Sequence, residues 1–142
     1  MERVKGNIII PGTAQGDVLA SIEPLSFWGG YDQHTGEIID RRHPLSGENG
    51  AGRILALPFT RGSSTTTAIL LESVRRGVSP AGIITDRADV FLALASVVAD
   101  EMYERAFPMV AVESEIFARL QSGDKARILE GGVIEIDSSQ PS

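Results

Sequence analysis

The sequence predicts a mixed α/β fold, and two observations lead to this prediction. Short apolar runs rich in Ile, Val and Leu alternate with segments of helical spacing between residues 53 and 123. Strands that alternate with helices in this way are typical of parallel βαβ units. Shorter apolar runs at both ends of the chain are separated by Pro11-Gly12 and by Gly131-Gly132. These turn signals predict hairpins, so both kinds of strand pairing are expected in one chain.

The first part of the chain predicts strands and one long turn-rich segment. Two short strands are expected within residues 4–20, where three isoleucines precede Pro11-Gly12. Residues 26–52 are rich in glycine and polar residues. A loop of this length in a compact domain is more often functional than filler. Residues 53–59, "RILALPF", are the clearest candidate for a buried strand.

The second part of the chain predicts helices and strands in alternation, and then a hairpin. The expected elements, in order, are a helix over 64–76, a strand over 81–86, a helix over 88–106, a strand over 107–113, a helix over 113–123 closed by Gly123, and a hairpin over 124–137 that turns at Gly131-Gly132. The second of these helices is apolar on nearly all sides, which indicates either deep burial or a subunit contact.

Length and composition limit the possible classes of protein. The chain has 142 residues, so we expect one domain over 1–137 and a short tail over 138–142. The absence of cysteine excludes disulfides, thiolate catalysis and an iron–sulfur cluster held by this chain. The formal net charge of −6 argues against nucleic acid as a partner. No apolar run reaches the length of a membrane span and no signal peptide is evident, so the sequence predicts a cytoplasmic protein.

The stretch "LPFTRGSSTTTAILLES" places hydroxyl residues between a predicted strand and a predicted helix. If the strand ends at Phe59 and the helix begins near Ser64, residues 60–63 form the connecting turn. The first amides of a helix have no partner within the helix, and the helix dipole places positive charge there, so an anion can bind. Gly62 lets the backbone approach a ligand closely, and Arg61 can add a bidentate contact. In the simpler interpretation a serine only caps the helix, and Thr65 to Thr67 face water.

The turn-rich segment offers two further candidate features. Two histidines and two aspartates suggest a metal site, but no third strong ligand is evident and we favour surface groups. These residues are His34, His43, Asp32 and Asp40. Trp28 precedes Gly29-Gly30 and is either a core anchor under a tight turn or an aromatic wall for a partner, and we favour the core anchor.

Three segments, in this order, resemble the small subunit of aconitase X-type dehydratases. They are "PLSFWGGYDQHTGEIIDRRHPLSG", "GRILALPFTRGSSTTT" and "GVSPAGIIT", and the resemblance extends from about Lys5 to Gly123. It implies the swivelling β/β/α domain that aconitases carry as a mobile C-terminal domain, here as a separate polypeptide. It also implies a large catalytic subunit as the partner, with an iron–sulfur cluster held by the cysteines of that subunit and no cofactor bound by this chain.

The same resemblance implies roles for individual residues. Ser63 corresponds to the serine that, as an alkoxide, removes the substrate proton. Ser64 and the neighbouring amides correspond to groups that bind the substrate carboxylate. The residues expected to bind substrate are Arg61, Gly62, Ser64, Thr65, Gly29 and Gly30. Thr65 departs from the wider aconitase pattern, which has an arginine after the two serines.

The function implied by the resemblance is a hydro-lyase that removes water from a small hydroxy acid. Two substrates occur in the family, cis-3-hydroxy-L-proline and mevalonate 5-phosphate. The archaeal members, whose substrate is mevalonate 5-phosphate, tend to carry a turn that resembles Gly-Ser-Thr-Val-Gly. The sequence "GSSTTT" departs from this turn, so we favour cis-3-hydroxy-L-proline. A hypothesis from another class is a non-catalytic domain on the same scaffold that binds a small anion or has a regulatory role.

Overall fold

The computed structural model describes residues 2–27, 29–61, 65–87, 90–105 and 107–138. Within these ranges the backbone alone is described for Thr60, Arg61, Thr65 and residues 90–92. The described ranges contain ten strands, three α-helices and one short 3-10 turn over Glu130–Gly132.

The elements follow one another in a regular order along the chain. The strands are β1 (Glu2–Lys5), β2 (Asn7–Ile10), β3 (Ala14–Ala20), β4 (Leu25–Ser26), β5 (Ile54–Ala56), β6 (Thr60–Arg61), β7 (Gly82–Thr85), β8 (Met109–Ala111), β9 (Lys125–Ile128) and β10 (Val133–Asp137). The helices are α1 (Thr65–Arg76), α2 (Val90–Tyr103) and α3 (Ser114–Arg119).

Eight strands form one mixed sheet that nearly closes into a barrel. Their order is β1-β10-β9-β3-β5-β7-β8-β2. Strands β3, β5, β7 and β8 are parallel neighbours, whereas the other pairings in this sheet are antiparallel. Strands β1 and β2 stand at opposite ends of this order but are joined through Gly6, whose amide donates to the Gly132 carbonyl at 2.9 Å. The prediction of a mixed α/β fold is confirmed.

Strand β3 connects the antiparallel and parallel halves of the sheet. Its first residues, Ala14 to Asp17, pair with β9, and its last residues, Val18 to Ala20, pair with β5. Gly16 lies within the first of these pairings, where a Cβ atom would come within 2.8 Å of the Gly52 carbonyl oxygen. The two backbones therefore approach each other more closely than a side chain at position 16 permits.

The parallel strands are buried on both faces, because successive side chains point into two different cores. One core lies against α1 and α2, and the other lies against β9, β10 and α3. The first core receives Leu19, Leu55, Ile83 and Met109 from the strands, and Leu57 from directly after β5. The second core receives Val18, Ile54, Ala56, Ile84 and Val110.

Helix α2 is buried on one face only. Ala95 and Ala99 belong to the core that faces α1, and the Ser96 hydroxyl donates to the Phe107 carbonyl at 2.6 Å. On the outer face three apolar side chains remain exposed to a fraction of 45%, 50% and 60%. They are Leu94, Val97 and Met102. Deep burial on all sides is therefore wrong for this helix, and a subunit contact stays open. None of the described helices has the length and apolar character of a bilayer-spanning segment.

Several predicted boundaries are wrong for identifiable reasons. The first 20 residues hold three strands instead of two, because the chain crosses at Gly6 from the β10 edge to the β8 edge. Strand β5 ends at Ala56 instead of residue 59, since Pro58 has no amide to donate to a ladder. Helix α3 ends at Arg119, and Gly123 instead donates its amide to the Val18 carbonyl at 3.0 Å. The other predicted helices and strands and the terminal hairpin are present.

We predict that Gly6→Ala destabilises the protein, because the added methyl has no room where the barrel closes. Its Cβ atom would lie 2.5 Å from Val110 Cγ1 and 2.6 Å from the Ala111 carbonyl oxygen. Overpacking of this kind costs about 1–3 kcal/mol. Urea unfolding measures the loss. The exposed neighbour Asn7 serves as the control, since Asn7→Ala should change the free energy of unfolding by no more than about 0.5 kcal/mol. Equal stabilities for the two variants would contradict the prediction.

Candidate active site at the start of helix α1

The candidate site lies at the edge of the sheet where the parallel strands end. The chain passes from β5 through the two-residue strand β6 into α1, and from β7 directly into α2. In α/β sheets ligands bind outside the carboxyl ends of the parallel strands. The predicted residues Gly62, Ser63 and Ser64 lie outside the described residues. The described residues on either side of them are Arg61, the last of β6, and Thr65, the first of α1.

A short parallel strand pair connects the two predicted halves of the site. Strand β4 pairs with β6 in parallel, with Leu25 opposite Thr60 and Ser26 opposite Arg61. The prediction that residues 60–63 form the connecting turn is therefore wrong for Thr60 and Arg61, whose backbones satisfy their hydrogen bonds through a strand partner. Because the pair is parallel, the chain leaves both strands at the same end. The pair thus brings together the turn after Ser26 and the segment after Arg61.

Gly29 and Gly30 are explained by the turn that follows β4. Gly29 has a φ angle of 76°, a conformation that favours glycine. A Cβ atom at Gly30 would lie 2.0 Å from the Ser26 carbonyl oxygen. The Gly30 carbonyl accepts a hydrogen bond from the Ile39 amide at 2.9 Å, which ties this turn to the following loop. The geometry of the turn requires both glycines, and their predicted role in substrate binding stays a prediction. Trp28 lies outside the described residues.

Helix α1 begins without an acidic side chain in its first turn, while Arg75 and Arg76 lie in its last turn. The positive end of its dipole is therefore not neutralised by carboxylates of that turn. At the other end, Glu72 bonds to Arg75 and Arg76, and these hydrogen bonds lower the pKa of Glu72 to about 2. The charges along α1 thus leave its N-terminal end suited to an anion.

Thr66, in the first turn of α1, is 1% exposed. Its Oγ1 atom has no hydrogen-bond partner in the part of the chain that the structure describes. The interpretation in which the three threonines face water is therefore wrong for Thr66. Spacing alone did not single out this residue, because an exposed and a buried threonine look the same in a run of hydroxyl residues.

Two charged residues at the end of β7 were not selected from the sequence. Arg87 lies over the ring of Phe59, with 4.7 Å between the guanidinium carbon and the ring centroid. Its Nε atom also donates to Asp86 Oδ1 at 2.8 Å. Both residues follow a strand whose parallel neighbour leads to α1. The signal for finding them was their position directly after the buried run "GIIT".

The two histidines have different environments. His34 is exposed, as expected, but His43 is only 6% exposed, so the expectation of a surface group is wrong for His43. The Leu45 amide donates to His43 Nδ1 at 3.1 Å, so Nε2 carries the proton and donates to the Glu23 carbonyl at 3.2 Å. His43 thus holds two loops together. The described residues contain no group of three or more metal-ligating side chains.

The turn-rich segment is an ordered part of the core. Tyr31 packs on Phe27 with 5.2 Å between ring centroids, and its hydroxyl donates to the Val78 carbonyl at 2.8 Å. Burial raises the pKa of the Tyr31 phenol above its ordinary value, so the hydroxyl remains a donor. The contacts of Tyr31 therefore anchor the turn at Gly29-Gly30 to the core.

Two surface cavities lie away from the start of α1. One, of about 550 Å³, is lined by Glu23, Pro24, Asp40, Arg42 and His43. The other, of about 570 Å³, lies on the antiparallel half of the sheet and is lined chiefly by polar residues. They include Gln15, Asp17, Lys125, Arg127, Glu135 and Asp137. Neither cavity has a residue of "RGSS" or of helix α1 among its described lining residues.

These features define a mixed α/β domain with a nearly closed barrel, flanking helices and a candidate anion site at the carboxyl edge of its parallel strands. The chain belongs to the aconitase X swivel domain family, whose model matches residues 3–136. The family expected from the sequence motifs is thereby confirmed.

Known proteins similar to this chain include a longer dehydratase and the small subunit of another. A cis-3-hydroxy-L-proline dehydratase of Pseudomonas aeruginosa is 42% identical over 87% of this chain, which corresponds to 21% of that protein. The chain thus spans about a fifth of the length of that relative. A phosphomevalonate dehydratase small subunit of Methanopyrus kandleri is 37% identical over 86% of this chain and 87% of its own. The crystal structure of the holo-form of Thermococcus kodakaraensis aconitase X superposes with a TM-score of 0.85 and 30% identity, over 97% of this chain and 100% of that one.

We predict that His43→Phe destabilises the protein by at least about 2 kcal/mol, because it leaves the Leu45 amide and the Glu23 carbonyl without partners. Thermal and urea unfolding measure the loss. His34→Phe is the matched control, since the His34 side chain is exposed and the substitution should cost no more than about 0.5 kcal/mol. If both variants lose the same stability, the bridging role of His43 is refuted.

Proposed function

We propose that this chain is the small subunit of a two-subunit hydro-lyase that removes water from a small hydroxy acid, with Ser63 as the base. The observation that carries the proposal is the position of "GSS" between β6 and α1, at the carboxyl edge of the parallel strands. Membership of the aconitase X swivel domain family supports the reaction class, since relatives of this chain are named as dehydratases.

The proposed chemistry depends on the start of α1. A free serine hydroxyl has too high a pKa to act as a base at neutral pH. Unpaired amides and the positive end of a helix stabilise an alkoxide, and the same groups hold a carboxylate. The first turn of α1 has no acidic side chain to oppose this effect. The proton then moves from the carbon next to the bound carboxylate to Ser63 Oγ. Ser64 and the amides near Thr65 hold the carboxylate, Gly62 lets the backbone approach it closely, and Arg61 adds a bidentate contact.

We propose cis-3-hydroxy-L-proline as the substrate. Two observations support it. The identity of 42% with the Pseudomonas aeruginosa dehydratase exceeds the 37% with the Methanopyrus kandleri small subunit. Arg87, a described cation at the end of β7, is already paired with Asp86, which makes it less available to a phosphate. Mevalonate 5-phosphate is the second candidate, because the phosphomevalonate dehydratase small subunits match this chain in length.

The proposed partner is a large subunit. In the Pseudomonas aeruginosa relative the matched region is about a fifth of the chain, so most of that protein lies outside it. This chain has no cysteine, so an iron–sulfur cluster in the proposed enzyme is held by the partner. When bound there, a cluster iron supplies a Lewis acid for the departing hydroxyl. The cytoplasm is the expected compartment for such an enzyme.

Helix α2 offers a surface for this partner. The helix starts at the same sheet edge as α1, with Leu94 in its first half and Val97 just past its middle. Both side chains are about half exposed. A partner that covers the site also removes these apolar groups from water, which contributes roughly 25 cal/mol per Å² of buried area.

We predict that Ser63→Ala lowers turnover of cis-3-hydroxy-L-proline by at least about 100-fold in the reconstituted enzyme, the range expected when a positioned base is removed. Assembly with the large subunit should be unchanged, because the substitution removes a single hydroxyl. The assay follows dehydration after the chain is co-purified with its genomic neighbour. Ser46→Ala, in an exposed loop, is the control and should retain full activity.

Activity of Ser63→Ala within tenfold of wild type would exclude Ser63 as the base. Turnover by the purified chain without a partner would contradict the proposed division between subunits. If no partner co-purifies and the chain alone binds a small carboxylate, the alternative of a small-anion-binding domain is supported instead.

A second prediction concerns the α2 surface. Replacing Leu94 and Val97 together by Gln should weaken binding of the large subunit by roughly tenfold or more, because about half of each side chain is free to be buried by a partner. Isothermal titration or a pull-down measures the affinity. Ile8→Gln, an exposed apolar residue on β2, is the control. If the double variant keeps its affinity for the large subunit and Ile8→Gln loses affinity, the interface lies on β2 and not on α2.

A further inference from the structure

The buried hydroxyl of Thr66 is an anomaly within the described part of the chain. Buried polar side chains in native proteins almost always have a hydrogen-bond partner, and one without a partner destabilises the folded state. Other buried hydroxyls here are satisfied: Ser73 Oγ donates to the Leu70 carbonyl at 2.7 Å, and Thr85 Oγ1 donates to the Arg87 carbonyl at 2.6 Å. Thr66 Oγ1 is the buried side-chain atom without a partner among the described residues.

The position of Thr66 on α1 gives its side chain a general direction. The Cα–Cβ bonds of an α-helix tilt toward its N-terminus. The side chain of the second residue of α1 therefore projects toward the start of the helix, the end at which unpaired amides and the dipole attract an anion. That turn has no acidic side chain that would repel a carboxylate. A hydroxyl in this place is a neutral donor that adds to the amides without competing for the anion.

We infer that Thr66 is a further substrate-binding residue, whose hydroxyl donates to the bound substrate carboxylate, directly or through one ordered water. This inference rests on the proposed function. In the free chain the hydroxyl has no partner among the described residues, and a buried donor in that state lowers stability. In the ligand-bound enzyme it has an acceptor, and the hydrogen bond contributes to affinity. The lower stability of the free chain is therefore explained by a hydroxyl donor whose acceptor is the bound anion.

The inference makes stability and activity change in opposite directions. Thr66→Val keeps the shape of the side chain and removes the hydroxyl, so the unfolding midpoint of the free chain should rise by about 3 °C. In the reconstituted enzyme the same variant should lose roughly tenfold or more in kcat/KM for cis-3-hydroxy-L-proline and bind L-proline, a carboxylate analogue without the leaving hydroxyl, roughly tenfold more weakly as an inhibitor. Thr66→Ser keeps the hydroxyl and loses a buried methyl, so it should be less stable than wild type but retain kcat/KM within about threefold.

Three outcomes would overturn the inference while the proposed function stands. In the first, Thr66→Val is as active and binds L-proline as tightly as wild type, so the hydroxyl is unused. In the second, Thr66→Val lowers the unfolding midpoint of the free chain, which means that the hydroxyl already has a partner there. If Thr66→Ser loses as much activity as Thr66→Val, the methyl and not the hydroxyl is required, which also refutes the inference. A wild-type complex that neither turns over the hydroxy acid nor binds L-proline would refute the proposed function, and this inference with it.

Discussion

Burial of the parallel strands on both faces is the constraint on which the rest of the structure depends. Because side chains alternate between two cores, Leu55 and Ile83 pack into the core against α1 and α2. Ile54 and Ile84 pack into the core against β9, β10 and α3. A shift of one residue in either strand would exchange these two sets and place each in the wrong core. The register of β5 and β7 is therefore fixed, and with it the edge at which α1 and α2 begin.

The candidate site follows from that edge in a second step. Pro58 ends the β5 ladder, and the chain then pairs once more, through Thr60 and Arg61, with the strand that precedes Gly29-Gly30. This pairing brings the strand over residues 25–26 beside the strand over residues 60–61, which is distant from it in the sequence. Tyr31 and His43 hold the intervening loop through hydrogen bonds to the Val78 and Glu23 carbonyls. The site is thus an irregular surface supported by a rigid core, as in many enzymes.

The sequence predicted the parts of this structure that depend on local patterns. The order of helices and strands from "RILALPF" onward follows from apolar spacing and glycine punctuation, and "RGSS" marks the start of α1. The two-residue strands β4 and β6 were not predictable, because so short a strand has no periodicity and forms only through a partner far away in the chain. The burial of Thr66 and His43 was also missed, because burial depends on the folded arrangement: His43, for example, packs against the distant Glu23 carbonyl. Gly6 was not singled out from the sequence, because its place at the barrel closure depends on the distant Gly132.

The most direct test of the central claim is a crystal structure of this chain bound to its large subunit and to L-proline. The account predicts that the carboxylate of L-proline lies about 3 Å from the first-turn amides of α1, within hydrogen-bonding distance. A carboxylate bound instead in the cavity lined by Gln15, Lys125 and Arg127, on the antiparallel half of the sheet, would contradict it.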